Sequence, residues 1–187
     1  MNLPNLITVS RLVLTAIALT LVALHPQGAR GSWWVDWWIF GLLFVAAVTD
    51  FVDGYIARRL GQTSLLGRIL DPLADKVLIC GSLVMFVELP DLHPWVPAWA
   101  LTIVITREFV VQSLRGVAEA TGKAFPADRF GKWKMGFQCV WVLGLAAWQA
   151  GWDWPIEVVR YAMWVALAFT VLSGFNYVRK ARRVLEL

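Results

Sequence analysis

Residues 50–75 read DFVDGYIARRLGQTSLLGRILDPLAD. Asp50 and Asp53 are spaced i,i+3, and Gly54 and Ala57 continue the same helical face; Gly67, Asp71 and Asp75 are spaced i,i+4,i+8 and line one stripe of the next helix. The flanks are apolar, since 34–48 carries one charge, Asp36, and 77–87 carries none. Acids inside such runs are costly in lipid and face a bundle interior rather than hydrocarbon. At the helical rise per residue, Asp50 and Asp53 lie about 21 and 25 Å from Asp36, and Asp75 and Asp71 about 20 and 25 Å from Glu88. Two antiparallel neighbours would therefore bring four carboxylates to one depth.

The rest of the chain is equally apolar. Of its 187 residues, 59% are hydrophobic and 16% charged, with a mean hydropathy of +0.62, whereas a soluble domain is about 45–50% apolar and about 25% charged. That excludes an ordinary soluble domain, and the sequence lacks the low complexity of a disordered or fibrous one. Cys80 and Cys139 stand in apolar sequence without metal-ligand spacing, so neither a disulfide scaffold nor a thiolate metal site is expected. Six stretches reach the length of a membrane span: Leu6–Leu24, Trp34–Ile56, Leu66–Val87, Trp95–Ala118, Lys134–Trp152 and Ile156–Val178. Their apolar runs are continuous, which indicates helices rather than the alternating strands of a barrel. The first reads as a retained span, because no basic residue precedes it and no clean cleavage site follows. The expectation is an all-α integral membrane protein, six transmembrane helices in one domain over 1–187.

Basic residues set the orientation. Arg30 and Arg160 alone mark the loops after spans one, three and five, while Arg58, Arg59, Arg68, Arg115, Lys123, Arg129, Lys132, Lys134, Arg179, Lys180, Arg182 and Arg183 collect on the other side. The positive-inside rule places both termini in the cytosol and the protein in a cytoplasmic membrane. Trp33, Trp34, Trp37, Trp38, Trp95, Trp99, Trp148, Trp152 and Trp154 gather at the opposite face as an aromatic belt. The net charge of +4 is then a topology signal compatible with anionic lipid headgroups, and no argument for nucleic acid.

Four carboxylates at one depth repel strongly unless cations join them. Oxygen-only ligands suit Mg²⁺ or Mn²⁺, and the absence of neighbouring His or Cys disfavours zinc. Two ions on shared carboxylates are a known arrangement for phosphoryl chemistry. The alternative is structural pairing with Arg58, Arg59, Arg68 and Lys76; Gly54 and Gly67 could equally serve close helix packing.

The spacing Asp50-x2-Asp53-Gly54-x2-Ala57-Arg58-x8-Gly67-x3-Asp71-x3-Asp75 resembles the signature of the CDP-alcohol phosphatidyltransferase family. The resemblance implies a homodimer of six-helix bundles. It also implies a two-metal site facing the cytosol and transfer of a phosphatidyl or related group from a CDP-linked donor, with release of CMP. It makes Asp50, Asp53, Asp71 and Asp75 metal ligands, with Asp75 also the general base. Gly54, Ala57, Arg58, Ser64 and Gly67 would border CDP-diacylglycerol, and Asn5 and Thr8 would stand beside its nucleotide. The chemistry agrees, since Gly54 admits close backbone approach and Arg58 offers a fork for phosphate oxygens. Asn5 and Ser64 could instead cap their helices.

The acceptor is read from the second half. Arg107 lies about 20 Å inward of Pro94, level with Asp50 and Asp75. It needs an anion, whether Glu108, an aspartate of the cluster or a substrate phosphate. With Arg115, Lys132 and Lys134 it would suit the dianion of a small phosphorylated acceptor. The alternatives are cytosolic anchoring for the two lysines and an ion pair with Glu119 for Arg115. Residues 2–12, Arg107-Glu108 with Leu114-Arg115, and Gly131-Lys132-Trp133-Lys134 with Gln138 are similar to the branch of the family that uses sn-glycerol 3-phosphate, the phosphatidylglycerophosphate synthases. Met135 and Gly136 stand where that branch more usually has Thr. The rivals are a CMP-forming cardiolipin synthase, with phosphatidylglycerol as acceptor, and a cation-coupled transporter. The latter should show internal repeats and discontinuous helices near mid-membrane; no such repeat is visible, and the acids lie off-centre toward the cytosol.

Overall fold

Apolar runs of these lengths become helices in the computed structural model. It describes residues 3–24, 33–60, 65–122, 129–152 and 156–185, all of whose regular structure is helical. The elements are α1 (Leu3–Leu24), α2 (Trp33–Leu60), α3 (Leu65–Lys76), a π-helical turn (Val77–Gly81), α4 (Ser82–Val87), a 3₁₀ turn (His93–Trp95), α5 (Ala98–Ala120), α6 (Arg129–Gln149) and α7 (Ile156–Leu185). Of these, Asn5–Leu24 and Ile156–Arg182 are each long and apolar enough to cross a membrane by themselves. Arg30, Lys123 and Trp154, used above for orientation, lie outside the described residues.

The helix ends differ from the apolar windows for physical reasons. α2, α6 and α7 run on through charged residues, which are good helix formers that hydropathy leaves out. α5 starts after Pro97, whose extended backbone (φ −66°, ψ 137°) makes it the cap, so Trp95 falls in the preceding turn. α6 stops at Gln149 because Gly151 adopts φ 87°. Its N–H reaches the carbonyl of Trp148, and that of Trp152 reaches Ala147, closing the helix in a Schellman turn.

The chain divides into two compact units. The first comprises Met1–Val96 and Val142–Trp154. In it α1 packs chiefly on α2, and also on α3, the π turn and α4. The buried face of α1 runs Asn5, Thr8, Arg11, Thr15, Ala18, Val22, every third or fourth residue, and leaves Leu6, Val13 and Ile17 exposed. On α2 the stripe Asp36, Ile39, Leu43, Ala46 is buried while Trp34, Trp38 and Phe44 are exposed. Between helices this apolar, close packing by small residues matters. Gly81 shows this: a Cβ there would stand 2.9 Å from Leu19 Cδ1. The third apolar stretch is irregular because Pro72 inside α3 lacks an N–H, and the helix widens into the π turn five residues on.

The second unit comprises Pro97–Trp141 and Pro155–Leu187. Here α5 packs on α7. α5 buries Ala100, Val104, Val111 and Ala118, and α7 buries Ala166, Thr170, Ser173, Tyr177 and Ala181. Arg107 and Arg115 fall within the α5 stripe.

Candidate active site

In the first unit Asp50 extends the buried stripe of α2, four residues beyond Ala46, and Asp71 and Asp75 stand one turn apart on α3. Opposite them α1 supplies Arg11. Its guanidinium pairs with Asp50 through Nη1, lies 3.2 Å from Asp75 Oδ1 through the same nitrogen, and 3.8 Å from Asp71 Oδ1 through Nη2. Arg11 is wholly buried, while the side chains of Asp50, Asp75 and Asp71 are 26, 38 and 54% exposed. The acids thus share a buried cation on one side and remain reachable from the other. One turn before Arg11, Thr8 Oγ1 donates to Asp71 Oδ1 at 2.7 Å, and Asn5 is buried a further turn back.

The structure therefore brings together Thr8, Asp50, Asp71 and Asp75, from three helices. Asp53, Gly54, Ala57 and Arg58 are described as helical backbone of α2 only, and Gly67 sits half-buried on α3. Ser64 lies outside the described residues, as does the side chain of Lys132. Arg11 is the residue that sequence reasoning passed over. Its signal was present: it is the one charge in α1, on the same face as Asn5 and Thr8, and a lone arginine in an apolar helix calls for acids.

In the second unit the expected acceptor cations form a network. Arg107 Nη1 donates to Glu108 Oε1 at 3.1 Å and Arg107 Nε to Ser173 Oγ at 3.1 Å. Lys134, buried, pairs with the same Glu108 oxygen. Arg115 donates through Nη2 to the Tyr177 hydroxyl at 2.5 Å rather than pairing with Glu119. Gln138 Nε2 donates to Thr170 Oγ1 at 3.2 Å. Two cations, Arg107 and Lys134, meet the one carboxylate of Glu108, and Arg115 adds a third positive charge held on Tyr177.

Among the described residues no three His, Cys, Asp or Glu side chains meet as a ready ligand group, the Asp53 side chain lying outside that set. The donor chemistry nevertheless fits a hard divalent ion. Asp50, Asp71 and Asp75 offer only oxygen, are partly exposed, and already converge on one positive group, Arg11.

Comparison with known proteins agrees with the family that the sequence resembles. The family model described as CDP-alcohol phosphatidyltransferase matches residues 1–172. A Bacillus subtilis protein named CDP-diacylglycerol–glycerol-3-phosphate 3-phosphatidyltransferase is 37% identical over 96% of this chain and 94% of its own length. Proteins of the same name from Cereibacter sphaeroides and Rickettsia typhi are 29% and 28% identical, over 96% and 97% of this chain and 95% and 97% of their own. The match takes in every helix that carries a candidate site residue, and on that basis the chain belongs to the CDP-alcohol phosphatidyltransferase family.

Proposed function

We propose that this protein transfers the phosphatidyl group from CDP-diacylglycerol to sn-glycerol 3-phosphate, giving phosphatidylglycerophosphate and CMP. The observation that carries the reading is the convergence of Asp50, Asp71 and Asp75, at the family's spacing, on one buried cation beside Thr8. The names of its full-length relatives support the acceptor.

Asp75 takes the proton from the 1-hydroxyl of the acceptor. That oxygen forms a bond to the phosphorus bearing diacylglycerol, and the bond from this phosphorus to the CMP oxygen breaks, so CMP leaves directly without a covalent enzyme intermediate. Arg11 keeps the three carboxylates gathered, and Thr8 fixes the orientation of Asp71. Asn5, Thr8, Gly54, Ala57, Arg58, Ser64 and Gly67 border the donor. Arg107, Arg115, Lys132 and Lys134 hold the acceptor's phosphate. Asp50, Asp53, Asp71 and Asp75 would hold two Mg²⁺ or Mn²⁺ ions, which when bound supply positive charge against the pyrophosphate and the leaving CMP.

One domain of six spans, α3 to α4 counting as one, has both termini and the active site on the cytosolic side of a cytoplasmic membrane. There a lipid donor and a water-soluble acceptor can both arrive, and the protein works as a homodimer among membrane lipids. The test is CMP release from CDP-diacylglycerol by purified protein, with Mg²⁺ and with a panel of acceptors. Glycerol 3-phosphate should be used well and free glycerol poorly. Preference for phosphatidylglycerol would instead identify a cardiolipin synthase, and ion transport without CMP release a transporter.

A further inference from the structure

Both arginines of α5 rest on one side chain of α7. The guanidinium carbon of Arg107 stands 5.5 Å from the centre of the Tyr177 ring and that of Arg115 stands 5.2 Å from it. Tyr177 is buried, 2% exposed, and its hydroxyl accepts the 2.5 Å hydrogen bond from Arg115. One turn earlier Ser173 Oγ accepts from Arg107 Nε, and at Gly174 a Cβ would lie 3.2 Å from Arg107 Cγ, so the arginine stem lies close along α7. Ser173, Gly174 and Tyr177 share one helical face, and together they seat two side chains eight positions apart on α5.

The two arginines are not equally balanced. Arg107 has Glu108. Arg115 has no ion pair among the described residues; its partners are the ring and hydroxyl of Tyr177, while its Nε is buried and makes no hydrogen bond. A ring quadrupole attracts a guanidinium without neutralising it. A half-buried arginine held in this way keeps its charge and spare donors for an anion that arrives later. A carboxylate in place of Tyr177 would consume both.

We infer that Tyr177 is a positioning residue for the acceptor. Its ring and hydroxyl hold Arg107 and Arg115 side by side, the second with its charge uncancelled, for the phosphate of the small acceptor, and Ser173 locks the first of the two. The inference rests on the proposed role of those arginines, and it assigns specificity for a phosphorylated acceptor partly to the last helix.

The experiment is a double-mutant cycle between Tyr177→Phe and Arg115→Gln, with Tyr177→Leu beside it, in the full-length purified enzyme. KM for glycerol 3-phosphate and for CDP-diacylglycerol are measured separately. Removing the hydroxyl in Tyr177→Phe should raise KM for glycerol 3-phosphate by about three- to tenfold, and removing the ring as well in Tyr177→Leu by tenfold or more, with KM for CDP-diacylglycerol unmoved. In the Arg115→Gln background Tyr177→Phe should add less than twofold, because the side chain it positions is gone. Tyr177→Phe is the mild variant, and its folding is checked by thermal melting. Wild-type KM in Tyr177→Phe and Tyr177→Leu, with a raised value in Arg115→Gln, would overturn the inference and leave the acceptor assignment standing. A normal acceptor KM in Arg115→Gln would overturn both. Equal effects of Tyr177→Phe with and without Arg115 would show a packing role only and would also overturn it.

Discussion

Replacing Arg11 by Gln removes the cation that Asp50, Asp71 and Asp75 share. The guanidinium is wholly buried, but its partners are 26 to 54% exposed. A fully buried pair that loses one member costs about 3–5 kcal/mol and an exposed pair costs about 0–1 kcal/mol. The partial exposure of the acids puts this site between them, at about 2–3 kcal/mol. For a chain of this size that is a fall in Tm of about 4–12 °C. The assay is thermal unfolding of purified protein in detergent, in EDTA and in excess Mg²⁺. The fall should be larger in EDTA, because a divalent ion on the same carboxylates relieves part of their repulsion. Arg11→Lys should retain the charge but not the reach to three acids, and so fall between Gln and wild type. If Arg11→Gln melts with the wild type in EDTA, the acids do not depend on Arg11 and its proposed role fails.

Asp50→Asn or Asp71→Asn should abolish CMP release, and the variants should bind Mn²⁺ more weakly in a direct titration. Asp75→Asn should collapse kcat while CDP-diacylglycerol binding, followed by equilibrium dialysis, changes only modestly; normal turnover would assign the base elsewhere. Thr8→Val removes the hydrogen bond to Asp71, a charge-assisted bond worth about 1.5–3 kcal/mol, and should lower kcat/KM for CDP-diacylglycerol by roughly ten- to a hundredfold.

The acidic core was legible as helical spacing in apolar surroundings, and the structure sets Asp50, Asp71 and Asp75 around Arg11. Arg11 is legible in principle, since a lone charge in an apolar helix needs partners. The sequence offers Glu108 as a partner for Arg107 and Glu119 for Arg115, and the first pair forms. What actually holds Arg115, Tyr177, lies 62 residues away. No local pattern links them, because that contact exists only through the packing of α5 on α7. Helix ends were blurred by charged residues such as Arg129 and Arg179, which are helical yet invisible to hydropathy, and the π turn after Pro72 has no simple sequence signature.

The most direct measurement follows both products from one reaction, using labelled glycerol 3-phosphate and CDP-diacylglycerol with the purified protein in detergent. CMP and labelled phosphatidylglycerophosphate should appear in equal amounts, vanish with EDTA and return with Mg²⁺ or Mn²⁺. CMP formed without label entering lipid, or full activity in metal-stripped protein, would contradict the account.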